Sequence, residues 1–132
     1  MASIFSKIVD REIPAHIVAE DDNYLAFLDI NPLVEGHTLV IPKKEVDYVF
    51  DLDHQTLAGL FSFSKGVAKA IEKVVPCERI GVSVIGLEVP HAHVHLIPIN
   101  SVDDMNFSRM KLSPTKEELA KTAKRINEAY GK

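Results

Sequence analysis

The sequence lacks the features that mark several large classes of protein. Its only cysteine, Cys77, cannot form an internal disulfide, and no apolar run approaches the ~20 residues that a membrane-spanning helix needs. The first residues lack the apolar stretch of a secretory signal. There is no run of Lys or Arg, and the formal net charge is −4, which argues against a nucleic-acid polymer as partner. We therefore expect a cytoplasmic protein with no membrane partner, for which small anions remain possible ligands.

The 132 residues contain no internal repeat, linker or low-complexity stretch that would divide them. A chain of this length can bury enough apolar surface to fold as a single domain, 1–132, without disulfides or structural metals. Capping and turn residues predict helices over 4–10, from Asp53 to 74 and from Ser113-Pro114 to 130, and strands over 16–20, 24–29, 37–41, 79–85 and the segment after 90. The expected fold class is α+β: a five-stranded antiparallel sheet with one long packing helix, a short N-terminal helix and a C-terminal helix.

Two of these elements carry specific expectations of burial. In the long helix, Leu60, Phe61 and Val67 belong to an apolar face with i, i+3, i+4 spacing. The strand over 79–85 is nearly continuously apolar. This pattern predicts a buried strand at the centre of a sheet rather than at its edge.

The segment after Pro90 carries histidines at alternate positions, His91, His93 and His95. Residues two apart in a strand lie on one face, about 6.6 Å from each other. The three imidazoles should therefore share a face, and the alternating Ala92, Val94 and Leu96 should pack in the core. Chemistry is expected on one side of this strand and packing on the other.

Three interpretations of the histidines remain open on these residues alone. The rings could be inert on a polar sheet face, or they could bind a metal, because imidazole is the commonest zinc ligand and His37 offers a further one. They could instead attack phosphorus, since an imidazole with its ordinary pKa near ~6.5 carries a free lone pair at neutral pH. A protonated neighbour would then offset charge on the phosphate oxygens.

The pattern H-x-H-x-H resembles the histidine triad (HIT) family of nucleotide hydrolases and transferases, in particular its HINT-like branch. Further similar segments occur in the same order, namely Ile4-Phe5-Ser6-Lys7-Ile8, Glu12-Ile13-Pro14, Ala26-Phe27-Leu28-Asp29-Ile30 and the stretch from Asn31 to Lys43. The resemblance covers roughly residues 3–98. It implies a hydrolase that cleaves nucleoside phosphoramidates or related nucleotidyl compounds through a covalent nucleotidyl-histidine intermediate. The alternatives are a dinucleoside polyphosphate hydrolase, or a nucleotide-binding or scaffold protein with little turnover.

The resemblance also implies roles for individual residues. His93 corresponds to the nucleophile and His95 to the histidine that contacts the phosphate, while His91 and His37 correspond to the two that support them. Asp29 corresponds to the carboxylate that accepts hydrogen bonds from the ribose, although it could simply open the turn at Asn31-Pro32. The apolar slot for the base corresponds to Phe5, Ile8, Phe27 and Ile30, which could equally be ordinary core. A small-molecule nucleotide is the implied substrate, no cofactor or metal is expected, and the long helix and the following strand are expected to form a homodimer.

The sequence differs from some members of the family at three places. Some members carry C-x-x-C where this chain has Ser3 and Ser6, and the absent sulfurs count against zinc. Members that transfer a nucleotidyl group to a sugar phosphate have Gln in place of His95, so hydrolysis is favoured here. Leu87 and Glu88 replace a Gln and a Ser of the loop before the triad. A carboxylate beside a phosphate is repulsive, so Glu88 either turns away or favours a less charged substrate.

Overall fold

The computed structural model describes residues 2–132. The regular elements are α1 (Ile4–Val9), β1 (Ile17–Glu20), β2 (Tyr24–Leu28), β3 (Thr38–Pro42), α2 (His54–Val74), β4 (Arg79–Ser83), β5 (Val94–Ile99) and α3 (Lys116–Ala129). Two short 3-10 helices, Val49–Asp51 and Val102–Met105, lie in the connections. The predicted α+β class, with five antiparallel strands and three helices, is confirmed.

The strands form one sheet in the order β1-β2-β3-β5-β4, and every neighbouring pair is antiparallel. β5 lies between β3 and β4, with Thr38 opposite Leu96 and Leu39 opposite His95. This register brings the start of β3, and with it His37, beside the histidine strand.

Apolar side chains cover both faces of the sheet, in two separate clusters. On one face, α2 and α3 contribute Leu60, Val67 and Ile126, which pack with Val94 and Leu96 of β5. On the other face, the short helix α1 packs with the alternate side chains of β2 and β3, in a cluster of Phe5, Ile8, Leu25, Phe27, Leu39 and Ile41. Full burial of each large apolar side chain contributes about 1.5–3 kcal/mol, so α1 is anchored although it has only six residues.

The helices begin at side chains that accept hydrogen bonds from unpaired backbone N–H groups. Ser3 caps α1 and Asp53 caps α2, as predicted. The predicted start of α3 at Ser113-Pro114 is wrong, because Thr115 and Glu118 form a capping box that satisfies two N–H groups reciprocally. The cap therefore lies at Thr115, and α3 begins at Lys116.

The expectations for the buried strand and for part of the helix face are also wrong. β4 is the outermost strand of the sheet in this chain, and Val82 is 51% exposed. A run of apolar residues indicates that a strand can be buried. It does not show that the burying surface belongs to the same chain. In α2 the buried aromatic residue is Phe63, whereas Phe61 is 43% exposed. Over residues 2–132, no helix is long and apolar enough to cross a membrane.

Candidate active site

The structure brings the four predicted histidines together on the α1 side of the sheet. His37, His91, His93 and His95 are all buried, and the most exposed of them, His95, is 8% exposed. Ala92, Val94 and Leu96 pack in the opposite cluster, as the alternation predicted. β5 itself begins only at Val94, so His91 and His93 lie in the segment before the strand rather than in it.

Gly36 places His37 at the start of β3. Its φ of +90° lies in the region that favours glycine, and a Cβ atom there would come within 2.9 Å of Val75 Cγ2. The chain can therefore turn tightly against α2 and deliver the next side chain to the histidine face.

The hydrogen bond made by His93 fixes its tautomer. Its Nδ1 lies 2.7 Å from the carbonyl oxygen of His91. A carbonyl only accepts, so Nδ1 carries the proton and Nε2 keeps a free lone pair. The ring packs edge-on against Phe5, with centroids 5.0 Å apart. His93 also lines a cavity of about 470 Å³. The ring is thus oriented by the protein on one side and open to a ligand on the other.

In His37 and His95 the ring proton is on the other nitrogen, Nε2, rather than on Nδ1 as in His93. The backbone N–H of Leu33 donates to Nδ1 of His37 over 3.1 Å, so the proton of His37 is on Nε2. That Nε2–H lies 3.0 Å from Nδ1 of His95 and donates to it. The proton of His95 is therefore on its Nε2, which can donate to a ligand.

Burial keeps both of these rings neutral. Desolvation, with a smaller effect of His95, lowers the pKa of His37 to about 3. Desolvation, with a smaller effect of His93, lowers the pKa of His95 to about 4. The protonated neighbour expected from the sequence is therefore replaced by a neutral N–H donor at neutral pH.

Asp29 both opens the turn at Asn31 and lies beside the histidines of the site. Its Oδ1 accepts the N–H of Asn31 over 2.9 Å, as a turn-opening residue would, and its Oδ2 lies 3.8 Å from Nε2 of His37. Burial raises the pKa of Asp29, and the negative charge of Glu88 adds a smaller rise, while the Asn31 N–H and Lys111 oppose it. Glu88 is exposed and its charge has only a small effect on Asp29, so the two expectations for Glu88 remain predictions.

The four predicted slot residues do not all come together. Phe5, Ile8 and Phe27 pack in one buried cluster, with the Phe5 and Phe27 rings 5.4 Å apart. Ile30 lies outside it and is 59% exposed. Burial in this cluster fits both the core and the slot interpretation of Phe5, Ile8 and Phe27, and the ring of Phe5 also contacts His93.

The geometry of His37 opposes the metal interpretation. Asp29, His37 and His95 each offer one ligand atom, and these atoms lie within 4.8 Å of one another. A histidine that binds a metal through Nε2 normally donates its Nδ1–H to an acceptor. Here Nδ1 instead accepts the N–H of Leu33. A metal on Nε2 would require the ring proton to be on Nδ1, and that N–H would then face the N–H of Leu33 with no acceptor between them. The donor set fits a chain of neutral imidazoles better than a metal centre.

Sequence reasoning missed the segment that follows β5 and closes one side of the site. The ring of Phe107 lies 4.9 Å from that of His95 and 6.1 Å from that of His37. Arg109 donates to the carbonyl of Leu33 over 3.1 Å, and the N–H of Leu112 donates to the carbonyl of Pro32 over 2.8 Å. The available signal was weak: Phe107 is one of two aromatic residues after His95, in a polar stretch without periodicity.

Known proteins are similar to this chain in both sequence and fold. The adenosine 5'-monophosphoramidase hnt1 of Schizosaccharomyces pombe is 39% identical over 100 residues, which cover 74% of each chain. A Hit-like protein from Bartonella henselae superimposes with a TM-score of 0.83 at 35% identity, covering 96% of this chain and 95% of the other. A zinc-bound histidine triad family protein from Mycobacterium smegmatis gives a TM-score of 0.80 at 26% identity, covering 98% and 93%.

The family model for the HIT domain matches residues 10–102, which include His37 and all three histidines of the triplet. The resemblance drawn from the sequence is thereby confirmed. Taken with the four convergent histidines, these similarities show that the chain belongs to the HIT family.

Proposed function

We propose that the protein hydrolyses nucleoside phosphoramidates, or related nucleotidyl compounds, through a nucleotidyl intermediate on His93. The observation that carries this proposal is the tautomer of His93, whose Nδ1–H is held by the carbonyl of His91. Its free Nε2 lone pair needs no base to activate it. Similarity to an adenosine 5'-monophosphoramidase supports the same reaction class.

In the first step, Nε2 of His93 bonds to the phosphorus and the bond from phosphorus to the leaving nitrogen breaks. The nitrogen takes a proton from water and departs as an amine. In the second step, the hydroxide formed from that water attacks the phosphorus, its oxygen stays in the nucleotide, its proton passes to the released amine, and the bonding pair returns to Nε2 of His93. Two easier steps thus replace one difficult step.

His95 and Asp29 bind the nucleotide in this proposal. The Nε2–H of His95 donates to a phosphate oxygen on which charge increases in the transition state, and His37 keeps that proton in place. Asp29 accepts hydrogen bonds from the ribose hydroxyls. The base lies against the apolar surface beside Phe5 and Ile30.

The loop before the triad favours a single phosphate over a polyphosphate chain. Leu87, which lines the cavity beside His93, is 88% exposed and offers no hydrogen bond, and a carboxylate at the neighbouring Glu88 would repel additional phosphates. Adenosine phosphoramidate and a dinucleoside triphosphate should be assayed side by side. We expect faster release of AMP from the phosphoramidate. Faster cleavage of the triphosphate would instead support a dinucleoside polyphosphate hydrolase, and binding without cleavage of either would support a nucleotide-binding or scaffold role.

We also propose that two copies pair through β4 and α2. β4 is the outermost strand, so its outer edge presents unpaired backbone groups. Val82, Phe61 and Val84 expose apolar side chains, and Phe61 and Val84 line one cavity. A second copy would cover both features. Sedimentation at micromolar concentration should give a dimer, and a stable monomer would contradict this arrangement.

A further inference from the structure

A cluster of hydrogen bonds connects the first turn of α1 to the first histidine of the triplet. Glu45 lies in the connection between β3 and α2, and its Oε1 accepts the backbone N–H of Ser3 over 2.7 Å and the hydroxyl of Ser6 over 2.6 Å. Ser3 Oγ accepts the backbone N–H of Ser6 over 3.0 Å and lies 2.9 Å from Nδ1 of His91. Three segments distant in sequence therefore meet at His91.

Each proton in this cluster has only one consistent position. The carbonyl of Pro42 lies 2.7 Å from Nε2 of His91 and can only accept, so Nε2 carries the ring proton and Nδ1 accepts. Because the hydroxyl proton of Ser6 is directed to Glu45, the donor to Nδ1 is the hydroxyl of Ser3. Both nitrogens of this fully buried ring are thereby satisfied.

The cluster acts on the nucleophile through the backbone. The carbonyl that holds Nδ1–H of His93 is that of His91, whose ring is fixed by Ser3 and Pro42. The same helix α1 that is tied down by Glu45 carries Phe5, whose ring lies 5.0 Å from that of His93 and 6.0 Å from that of His91. Loosening of the cluster would therefore release both the carbonyl and the ring that orient His93.

We propose that Ser3 and Glu45 are positioning residues, which hold the His91 carbonyl so that Nε2 of His93 points at the phosphorus. Their effect on turnover rests on the proposed function, whereas their effect on the His93 ring does not. The hydrogen bond from the Ser3 N–H, followed by that from Ser6, lowers the pKa of Glu45 to about 2, so its carboxylate is ionised at neutral pH. Neither side chain lines the cavity beside His93.

The test measures the ring proton of His93 directly. In protein with ¹⁵N-labelled histidine, exchange of the His93 Nδ1 proton with solvent is followed in wild type and variants. Glu45→Ala leaves the Ser3 cap of α1 in place, whereas Ser3→Ala removes both the cap and the donor to His91. Glu45→Gln and Ser3→Thr keep the acceptor and the hydroxyl, respectively. Lys44→Ala, on the exposed neighbour of Glu45, is the matched control.

We expect proton exchange to become at least roughly tenfold faster in Glu45→Ala and Ser3→Ala, and to stay at the wild-type rate in the other three variants. With a phosphoramidate substrate, kcat should fall by roughly tenfold in the two alanine variants while KM changes by less than about twofold, since misplaced reacting groups lose rate rather than binding. Unchanged proton exchange in Ser3→Ala and Glu45→Ala would overturn the proposal. Faster exchange in an enzyme that cleaves no substrate would support the positioning role and would refute the proposed function alone.

Discussion

The two halves of the histidine cluster are anchored to the backbone by opposite kinds of group. In the first half, carbonyl oxygens of Pro42 and His91 accept ring protons, and His93 is left with a lone pair on Nε2. In the second half, the N–H of Leu33 donates to His37, and His95 is left with a proton on Nε2. Two chemically identical side chains, two residues apart, therefore offer a free lone pair and an N–H donor, which serve as nucleophile and hydrogen-bond donor in the proposed function.

This difference shows that hydrogen bonds to the backbone, rather than solvent, set which ring nitrogen carries the proton. A solvated imidazole exchanges between tautomers and takes up a proton near pH ~6.5. Desolvation holds the pKa of His95 at about 4, and the hydrogen bond from His37 leaves it one tautomer at neutral pH. A reaction that uses these two atoms in this way needs no exchange of protons within the site before the phosphate arrives.

Removing the nucleophile should have the largest effect. We expect His93→Ala to lower turnover by at least roughly 10³-fold while nucleotide still binds, because the contacts to ribose and base remain. In wild type, quenching at alkaline pH should trap the nucleotidyl label on His93, and exhaustive chelation should leave activity unchanged. Loss of activity on chelation, with recovery on adding zinc and no trapped label, would show that the site uses a metal instead.

Removing the donor should cost less. We expect His95→Ala to lower kcat by roughly 10²-fold, the usual effect of losing one preorganised donor to a developing charge. The trapped label on His93 should still form, but more slowly. A loss as large as that of His93→Ala, without label, would mean that the two histidines do not divide the roles as their hydrogen bonds indicate.

A substitution of Asp29 tests whether the His37–His95 half of the cluster also binds the ribose. Asp29→Ala should weaken binding of a ribonucleotide by on the order of 1.5–3 kcal/mol, because a charged acceptor of hydroxyl hydrogen bonds is lost. Calorimetry with the ribonucleotide and its dideoxy analogue makes the comparison. An equal loss for both ligands would show that Asp29 serves only the turn to Asn31.

The neutral histidines also predict how stability depends on pH. In the unfolded chain His37 and His95 take up protons near pH ~6.5, but in the folded protein they do so only near about 3 and about 4. The unfolded state therefore binds more protons below pH ~6.5, and the stability present above that pH is lost progressively towards pH 4. Asp29, whose pKa is raised, opposes this loss only at the acid end.

Thermal unfolding between pH 7 and pH 4 checks this prediction. The fall in Tm should be smaller in His95→Gln, which cannot take up a proton, than in wild type. His54→Gln, at an exposed histidine at the start of α2, is the control and should keep the wild-type slope. Equal slopes in all three proteins would mean that the buried rings do not resist protonation.

The sequence predicted the elements well where local chemistry decides them. Ser3 and Asp53 mark helix starts because their side chains accept specific N–H groups, and alternation along the histidine segment separates core from site. The sequence did not predict that β4 lies at the edge of the sheet, because the position of a strand depends on which other strands pair with it. The start of α3 was misjudged because Thr115 with Glu118 satisfies more N–H groups than Ser113 can.

The residues of the candidate site could be predicted from the sequence, but the ring nitrogens that carry the protons could not. Residue types and spacing brought His37, His91, His93 and His95 together, but the tautomers depend on Leu33 N–H and on the carbonyls of Pro42 and His91. Any residue can supply such backbone groups, so they leave no trace in the sequence. Phe107 was missed for a similar reason, because its contact with His95 depends on the path of an irregular loop.

The smallest effect on kcat is expected for Phe107, which lies in the loop after β5 and contacts His95. Phe107→Leu keeps an apolar side chain but loses edge-to-face contact with His95, where the rings lie at 72°. Such contacts contribute about 0.5–1.5 kcal/mol beyond burial, so kcat should fall by roughly two- to tenfold. Met110→Leu, at a 90% exposed position of the same loop, should leave kcat unchanged. An effect of Phe107→Leu on KM alone would instead show that the ring binds substrate and does not support the donor half.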